Sequence, residues 1–256
     1  MSQHFIKSVS NADSTADNVI LVDVREPDDL PATPPGDPLP GAMRTANLQV
    51  RLLDQNDRQA AENRAVLKAR GIRALNFVSS PGSGKTALLE RTLDALAGEV
   101  RCAVLVGDLE TDNDARRLRR PGLPVAQITT GGTCHLDASM ISRGLAALPL
   151  EGVQLLFIEN VGNLVCPASF DLGENRRITL LSCTEGEDKP LKYPPIFTSA
   201  HVVILNKIDV AAALGFDRAT ALTNIRRVAP QAEVFELSAR TGEGCDGWLT
   251  YLRGLL

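Results

Sequence analysis

NFVSSPGSGKTALLERTLDALA, residues 76–97, decides the fold. An apolar run ends at Val78, a Ser/Pro/Gly turn fills 79–84, and Lys85-Thr86 opens a stretch whose leucines recur at helical spacing. Strand, glycine-rich loop and helix in that order form the setting that a phosphate-binding loop requires. Backbone N–H groups at a helix N-terminus then point at phosphate oxygens, so Pro81, Gly82, Ser83 and Gly84 are expected to form a cradle. Lys85 is expected to neutralise phosphate charge, and the Thr86 hydroxyl to ligate Mg²⁺. Ser79 stands where the first Gly of the general pattern is usual. Gly82 and Gly84 flank the tightest part of the turn, so the cradle is still expected to close.

Outward from this loop, short apolar runs alternate with helical patterns: ALNFV, CAVLV, LPVAQI, VQLLFI, ITLLSC, HVVILN and AEVFEL. Runs rich in Val, Leu and Ile, without polar alternation, suit strands buried on both faces of a mostly parallel sheet. The fold class is therefore α/β, a doubly wound sheet in which ligands bind beyond the carboxyl ends of the strands. Ahead of it, Leu48, Leu52, Leu53, Ala60, Ala61 and Leu67 recur at near-helical spacing from Thr45 to about Ala69, and Gly71 sits where a helix would stop. Residues 1–43 are polar, acidic and then proline-rich (PATPPGDPLP, 31–40), a composition read as a flexible tail ahead of one domain over 44–256.

Two further strand ends carry acids. The segment DLETDND (108–114) brings Asp108 and Asp114 to the phosphate edge as Mg²⁺ ligands, direct or through water. Asp112 and Asn113 read instead as helix-start residues that favour the positive end of the helix dipole. After VQLLFI, Glu159-Asn160-Val161-Gly162 places Glu159 to hold a Mg²⁺-bound water and the Gly162 N–H to face a γ-phosphate.

After HVVIL comes Asn206-Lys207-Ile208-Asp209. A carboxylate at Asp209 accepts from both guanine N1–H and N2–H, whereas adenine offers neither donor and leaves a charge unpaired. The pattern therefore predicts GTP and GDP as ligands, with ATP rejected. Lys207 is expected to lie along the base and Asn206 to tie this loop to the phosphate loop. Ser238-Ala239-Arg240 ends a later run, with the Ala239 N–H expected at guanine O6.

With 27 Lys+Arg against 31 Asp+Glu the formal net charge is −4, which gives no long-range pull toward nucleic acid or an anionic membrane. No stretch approaches the length of a membrane span, and the first residues lack a signal-peptide core, so a cytoplasmic protein is expected. Five scattered cysteines argue against a disulfide framework. Cys102 and Cys183 read as core residues, Cys245 as incidental, and His4 and His201 as without a role. Cys134 and His135 are expected to open a helix (LDASMISRGLAAL), and Cys166 follows the Gly162 segment. Their donor types suit Ni²⁺ or Zn²⁺ over Mg²⁺. Spacing alone leaves two readings open: three ligands of a shared metal, or helix-start residues and a buried thiol.

From about residue 45 onward the chain resembles the HypB family, nickel-insertion GTPases of nickel-iron hydrogenase maturation within the SIMIBI-type P-loop group. The residues that carry this are NFVSSPGSGKT (76–86), GDLETDNDA (107–115), TCHLDA (133–138), FIENVGNLVCPASFDLGE (157–174), TEGEDKPLKYP (184–194) and NKID (206–209). The long central string separates it from the related urease GTPase, UreG. The resemblance implies a homodimer formed on GTP or metal binding, a metal site at Cys134, His135 and Cys166, slow GTP hydrolysis, and passage of nickel to the hydrogenase large subunit with the chaperone HypA. It also implies that Ser79 and Glu159 are family features. Three departures stand out. No Cys precedes Cys102, His4 is the only His before His135, and Gly132-Thr133 precede Cys134 where relatives often have Lys and Gly. Nickel storage is therefore not expected. A GTPase serving another metalloenzyme, as in urease-type nickel insertion, or a metal-buffering module are the alternative readings.

Overall fold

The seven apolar runs all become strands of one sheet. The computed structural model describes residues 19–23, 41–109 and 113–256. The runs form β2 (Arg73–Ser79), β3 (Cys102–Asp108), β4 (Val125–Thr129), β5 (Leu155–Glu159), β6 (Arg176–Ser182), β7 (Val202–Asn206) and β8 (Glu233–Glu236). A further strand, β1 (Ile20–Asp23), completes a sheet of order β1-β4-β3-β5-β2-β6-β7-β8. Each neighbouring pair is parallel. Parallel strands align their carboxyl ends, so Ser79, Asp108, Glu159 and Asn206 close their strands along one edge of the sheet.

β1 corrects the tail reading at its own residues. Ile20–Asp23 pair in register with Ala126–Thr129 of β4, inside the stretch 1–43 read from composition as unstructured. The short apolar run VILVDV (19–24) is too brief to shift the average of 43 residues, yet Val19 and Val22 are buried and give the strand its anchor.

The helices are α1 (Gly41–Ala69), α2 (Lys85–Leu96), α3 (Asn113–Leu118), α4 (Ala138–Ala147), α5 (Lys189–Lys192), α6 (Pro194–Thr198), α7 (Arg218–Val228) and α8 (Cys245–Arg253). On one face of the sheet Leu88, Leu89 and Leu93 of α2 and Trp248 and Leu252 of α8 pack on Phe77 and Phe157. Trp248 is fully buried and donates from Nε1 to Thr92 Oγ1 at 3.0 Å, so its one polar atom is satisfied. On the other face Leu67 of α1 and Met140, Ile141 and Leu145 of α4 cover Ala74, Leu105 and Ile158. A third cluster seats Ile196, Phe197 and Ile225 on Val203 and Leu205. Each fully buried Leu, Ile or Phe contributes about 1.5–3 kcal/mol by leaving water, which fixes the sheet as a rigid platform for the loops at its edge.

Helix α1 ends as expected, with Gly71 at φ 69°. Its buried stripe, however, runs through Asn56, Ala60, Asn63 and Leu67, while Leu52 is exposed. The asparagines are buried because each side-chain amide has backbone to bond. Asn56 Nδ2 donates to Asp171 O at 2.8 Å, and Asn63 Nδ2 donates to Ala138 O at 2.7 Å and Leu172 O at 3.1 Å.

Cys102, Cys183 and Cys245 are buried in the core. Burial pushes the Cys102 thiol up to about 12 and that of Cys183 up to about 11, which suits inert core residues. His201 accepts from the Arg177 N–H at 3.0 Å and has a packing role; His4 lies outside the described residues.

Candidate functional site

The phosphate loop leaves β2 at Ser79 and enters α2 at Lys85. Gly82 and Gly84 have φ of 74° and 96°, in the left-handed region where a side chain is strained. At Gly84 there is also no room, since a Cβ would lie 2.6 Å from Asn206 Nδ2. Lys85 is buried and donates to Ser79 Oγ at 3.0 Å, which gives the Ser at that position a use. Burial lowers the Lys85 pKa, and the carboxylates of Glu159, Asp114, Glu185 and Asp108 act against that shift. Two acids of β3 and α3 are thus within electrostatic reach of the lysine; Glu110, Thr111 and Asp112 between them lie outside the described residues. Asp108 Oδ1 accepts from the Leu109 N–H at 2.6 Å, and Asp114, in the first turn of α3, pairs with Arg117 at 3.5 Å.

Thr86 Oγ1 donates to Glu159 Oε1 at 2.7 Å, so the hydroxyl and carboxylate expected to share a magnesium ion are in contact. Glu159 Oε2 is buried and has no hydrogen-bond partner among the described residues. Burial pushes the Glu159 carboxyl up to about 7, with Lys85 and Thr86 acting against the rise. A buried carboxylate oxygen without a donor fits a hard cation or its bound water. Gly162 lies against the loop, where a Cβ would sit 2.9 Å from Pro81 Cα.

The base loop is tied to the phosphate loop as its sequence implied. Asn206 Nδ2 donates to Ser83 O at 2.8 Å. Lys207, at φ 64° the one non-glycine residue with positive φ among those described, donates from Nζ to Gly82 O at 2.6 Å. Holding a lysine there costs about 1–3 kcal/mol, a strain that collects at functional sites. The Ala239 N–H donates to Asn206 Oδ1 at 3.1 Å, so in this structure it serves the loop's own asparagine. Hydrogen bonding from Ser238 and the Arg240 guanidinium, whose Nη2 is 2.6 Å away, hold the Asp209 carboxyl below the usual carboxylate range. Asp209 is therefore an ionised acceptor already matched to a donor pair.

Cys134, His135 and Cys166 place their donor atoms within 4.8 Å of one another, the one such group of three among the described residues. The two sulfurs are 2.9 Å apart, and Cys134 Sγ is 3.9 Å from His135 Nδ1. Contact with Cys134 raises the Cys166 pKa, and burial lowers that of His135, which stacks on Phe170 at 3.9 Å between ring centres. A neutral imidazole and two thiols suit a soft or borderline divalent metal. The expectation that Cys134 and His135 begin a helix is corrected. Helix α4 begins at Ala138, because Asp137 accepts from the Met140 N–H at 2.7 Å and caps it, so both ligand candidates lie on the preceding turn.

Glu185 was not singled out by sequence reasoning. It accepts from Ser80 Oγ at 2.5 Å, Ser83 Oγ at 2.7 Å and the Ser182 N–H at 3.1 Å, binding the phosphate loop to the end of β6. An acid in the polar string TEGED carries no spacing signal for this; only the adjacency of β2 and β6 brings it there.

The family model described as CobW/HypB/UreG, nucleotide-binding domain, matches residues 74–236. The hydrogenase maturation factor HypB of Escherichia coli K12 is 52% identical over 209 residues, which cover 82% of this chain and 72% of that protein. Among solved structures, HypB from Archaeoglobus fulgidus superposes with a TM-score of 0.75 at 40% identity, covering 79% of this chain and 98% of that one. HypB from Helicobacter pylori in complex with nickel superposes with a TM-score of 0.72 at 41% identity, covering 78% and 94%. With the phosphate loop, base loop and Cys/His group on one sheet edge, and with these likenesses spanning most of its length, the chain belongs to the CobW/HypB/UreG family of nucleotide-binding proteins and, within it, to the HypB hydrogenase maturation factors.

Proposed function

We propose that this chain is a GTP-hydrolysing metallochaperone that binds nickel at Cys134, His135 and Cys166 and delivers it to the large subunit of a nickel-iron hydrogenase, together with a HypA-type partner. The observation that carries the reading is the placement of a three-donor Cys/His group on the loops that leave β4 and β5, beside the phosphate loop leaving β2. The Helicobacter pylori relative solved in complex with nickel supports nickel as the metal.

In this reading Lys85 and the 81–84 backbone hold the phosphates, and Asp209, Asn206 and Lys207 select guanine, with Ser238, Ala239 and Arg240 closing the base pocket. Thr86 and Glu159, with Asp108 and Asp114 nearby, would hold Mg²⁺, which supplies charge neutralisation at the phosphates when bound. Water attacks the γ-phosphorus, the bond to the β-γ bridging oxygen breaks, and GDP and phosphate leave. No side chain stands out as a general base, so turnover by the isolated chain is low and rests on charge stabilisation and water positioning. Three protein donors leave a four-coordinate metal one position open, for a water or a donor from a second copy of the chain.

The test is a competitive Ni²⁺ and Zn²⁺ titration of the reduced full chain, with Cys134→Ala as control. High-affinity nickel that is lost in the control supports the site. Nickel retained in Cys134→Ala overturns the metal assignment and leaves the nucleotide assignment standing.

A further inference from the structure

Asn160 lies between the Glu159 carboxylate and the Val161-Gly162 backbone that packs on Pro81. Its side chain is buried, and both of its polar atoms are engaged. Nδ2 donates to Asn76 Oδ1 at 3.2 Å, and Asn76 Nδ2 in turn donates to Glu174 Oε1 at 3.1 Å, a carboxylate paired with the buried Arg177 at 2.9 Å. The amide is thereby anchored in the sheet. Its Oδ1 accepts two N–H groups, from Val161 at 2.9 Å and from Leu136 at 3.1 Å. One donor belongs to the segment on the phosphate loop; the other is the residue that follows Cys134 and His135.

The rest of the Cys134 turn is held from different directions. Asn56 Oδ1 accepts from the Ala138 N–H at 2.9 Å, and Asn63 Nδ2 donates to Ala138 O at 2.7 Å, both from α1. Asn163 Nδ2 approaches Cys134 O at 3.4 Å. Only at Asn160, among the described residues, do the phosphate segment and the metal turn share a single acceptor atom. The oxygen serves both N–H groups at once, one on each lone pair, so a shift of Val161-Gly162 that turns the Asn160 amide changes the geometry of the Leu136 contact. The buried Leu136 N–H has no water to fall back on, and its turn must follow the oxygen or lose the bond.

We infer that Asn160 is a positioning residue that couples the two sites: through its amide oxygen, the occupant of the phosphate site sets how Cys134 and His135 are presented to nickel. The inference rests on the metal site proposed above.

The experiment is nickel affinity of the full chain by competition, measured with GDP and with a non-hydrolysable GTP analogue, in the wild type, Asn160→Ala, Asn160→Asp and Asn63→Ala. The wild type is expected to show a ratio between the two nucleotide states of about fivefold or more, the lower end of ordinary coupling between sites. Asn160→Ala brings the ratio close to one, whereas Asn160→Asp, which keeps the acceptor oxygen but loses the Nδ2 anchor on Asn76, retains only part of it. Asn63→Ala weakens nickel binding in both states and leaves the ratio intact. A wild-type ratio of one, or an unchanged ratio in Asn160→Ala, overturns the inference. Should Asn160→Ala fail to fold, hydrogen exchange of the Leu136 amide in the wild type decides: protection that differs between the two nucleotides supports the coupling, and equal protection sinks it. Nickel that survives Cys134→Ala is a separate result, against the metal site itself.

Discussion

Around the phosphate loop, side chains from three other positions close on the chain: Glu185 takes the Ser80 and Ser83 hydroxyls, Asn206 takes Ser83 O, and Lys207 takes Gly82 O. Around the Cys134 turn the backbone is equally well held, by Asn160, Asn56 and Asn63, but the donor atoms themselves meet chiefly one another. The loop over 79–84 is thus braced by folding, with Lys85 and Glu159 buried beside it. The metal group is only gathered by folding. On the proposed reading, a divalent ion taken by the two sulfurs, 2.9 Å apart, finishes the site. Nucleotide selectivity should therefore be robust and local, and metal affinity dependent on conditions.

The largest expected effect lies in base selection. A site built around a carboxylate acceptor rejects a base without the matching donors by about 10⁴-fold. Asp209→Ala is expected to collapse the preference for GDP over ADP, measured by competition binding, while nickel binding without nucleotide is unchanged. Retention of the preference would move the reader role to the Asn206–Ala239 pair.

How far these regions could be read in advance follows from the same contrast. Gly84, Lys85, Thr86, Asn206 and Asp209 lie at fixed spacing from strand ends, so the chain order of apolar runs is enough to place them along the sheet edge. Glu185 acts across the sheet, and its partners in the phosphate loop lie more than a hundred residues away in the chain, so no local pattern marks it. Asn56 and Asn63 occupy core positions of α1 that a search for apolar periodicity passes over, because their burial depends on backbone groups near Ala138 and Leu172. The start of α4 was misplaced by the apolar Leu136, whose burial comes from the loop beneath Gly107 rather than from a helix. β1 was missed because parallel pairing with β4 is a property of both strands, and four residues carry little of it.

Next in size is the phosphate charge. Removal of one preorganised electrostatic group costs about 100- to 1,000-fold in rate, so Lys85→Ala is expected to cut GTP hydrolysis by that factor. Nickel binding by the same variant without nucleotide tests the separateness of the two regions. Loss of both functions together would show that the buried lysine holds the whole sheet edge in place.

Smaller again is the brace behind the loop. Glu185→Ala leaves the Ser80 hydroxyl and the Ser182 N–H without their acceptor, while the Ser83 hydroxyl keeps Ser80 O at 2.8 Å. At about 1 kcal/mol per lost hydrogen bond, partly recovered by water, GDP affinity is expected to fall about tenfold. Glu185→Gln keeps one acceptor oxygen and should lose less; equal affinity in all three proteins would mean that the cradle stands without its brace.

The last effect is spread over pH, is no larger per pH unit, and isolates one group. Burial raises the Glu159 carboxyl to about 7, so the folded chain holds a proton there that an exposed glutamate would have lost. That share of folding stability is present in acid and is lost as pH rises through about 7. Cation binding runs the other way, because Mg²⁺ requires the ionised form and must displace the proton below that pH. Nucleotide affinity in the presence of Mg²⁺ should therefore weaken by up to about tenfold per pH unit below 7 and level off above it. Without Mg²⁺ the sign reverses, since an ionised Glu159 repels phosphate and affinity falls as pH rises. Glu159→Gln removes both slopes. Slopes of the same sign with and without Mg²⁺ would show that Glu159 does not face the ion, and would return the orphaned Oε2 to an unexplained feature of the core.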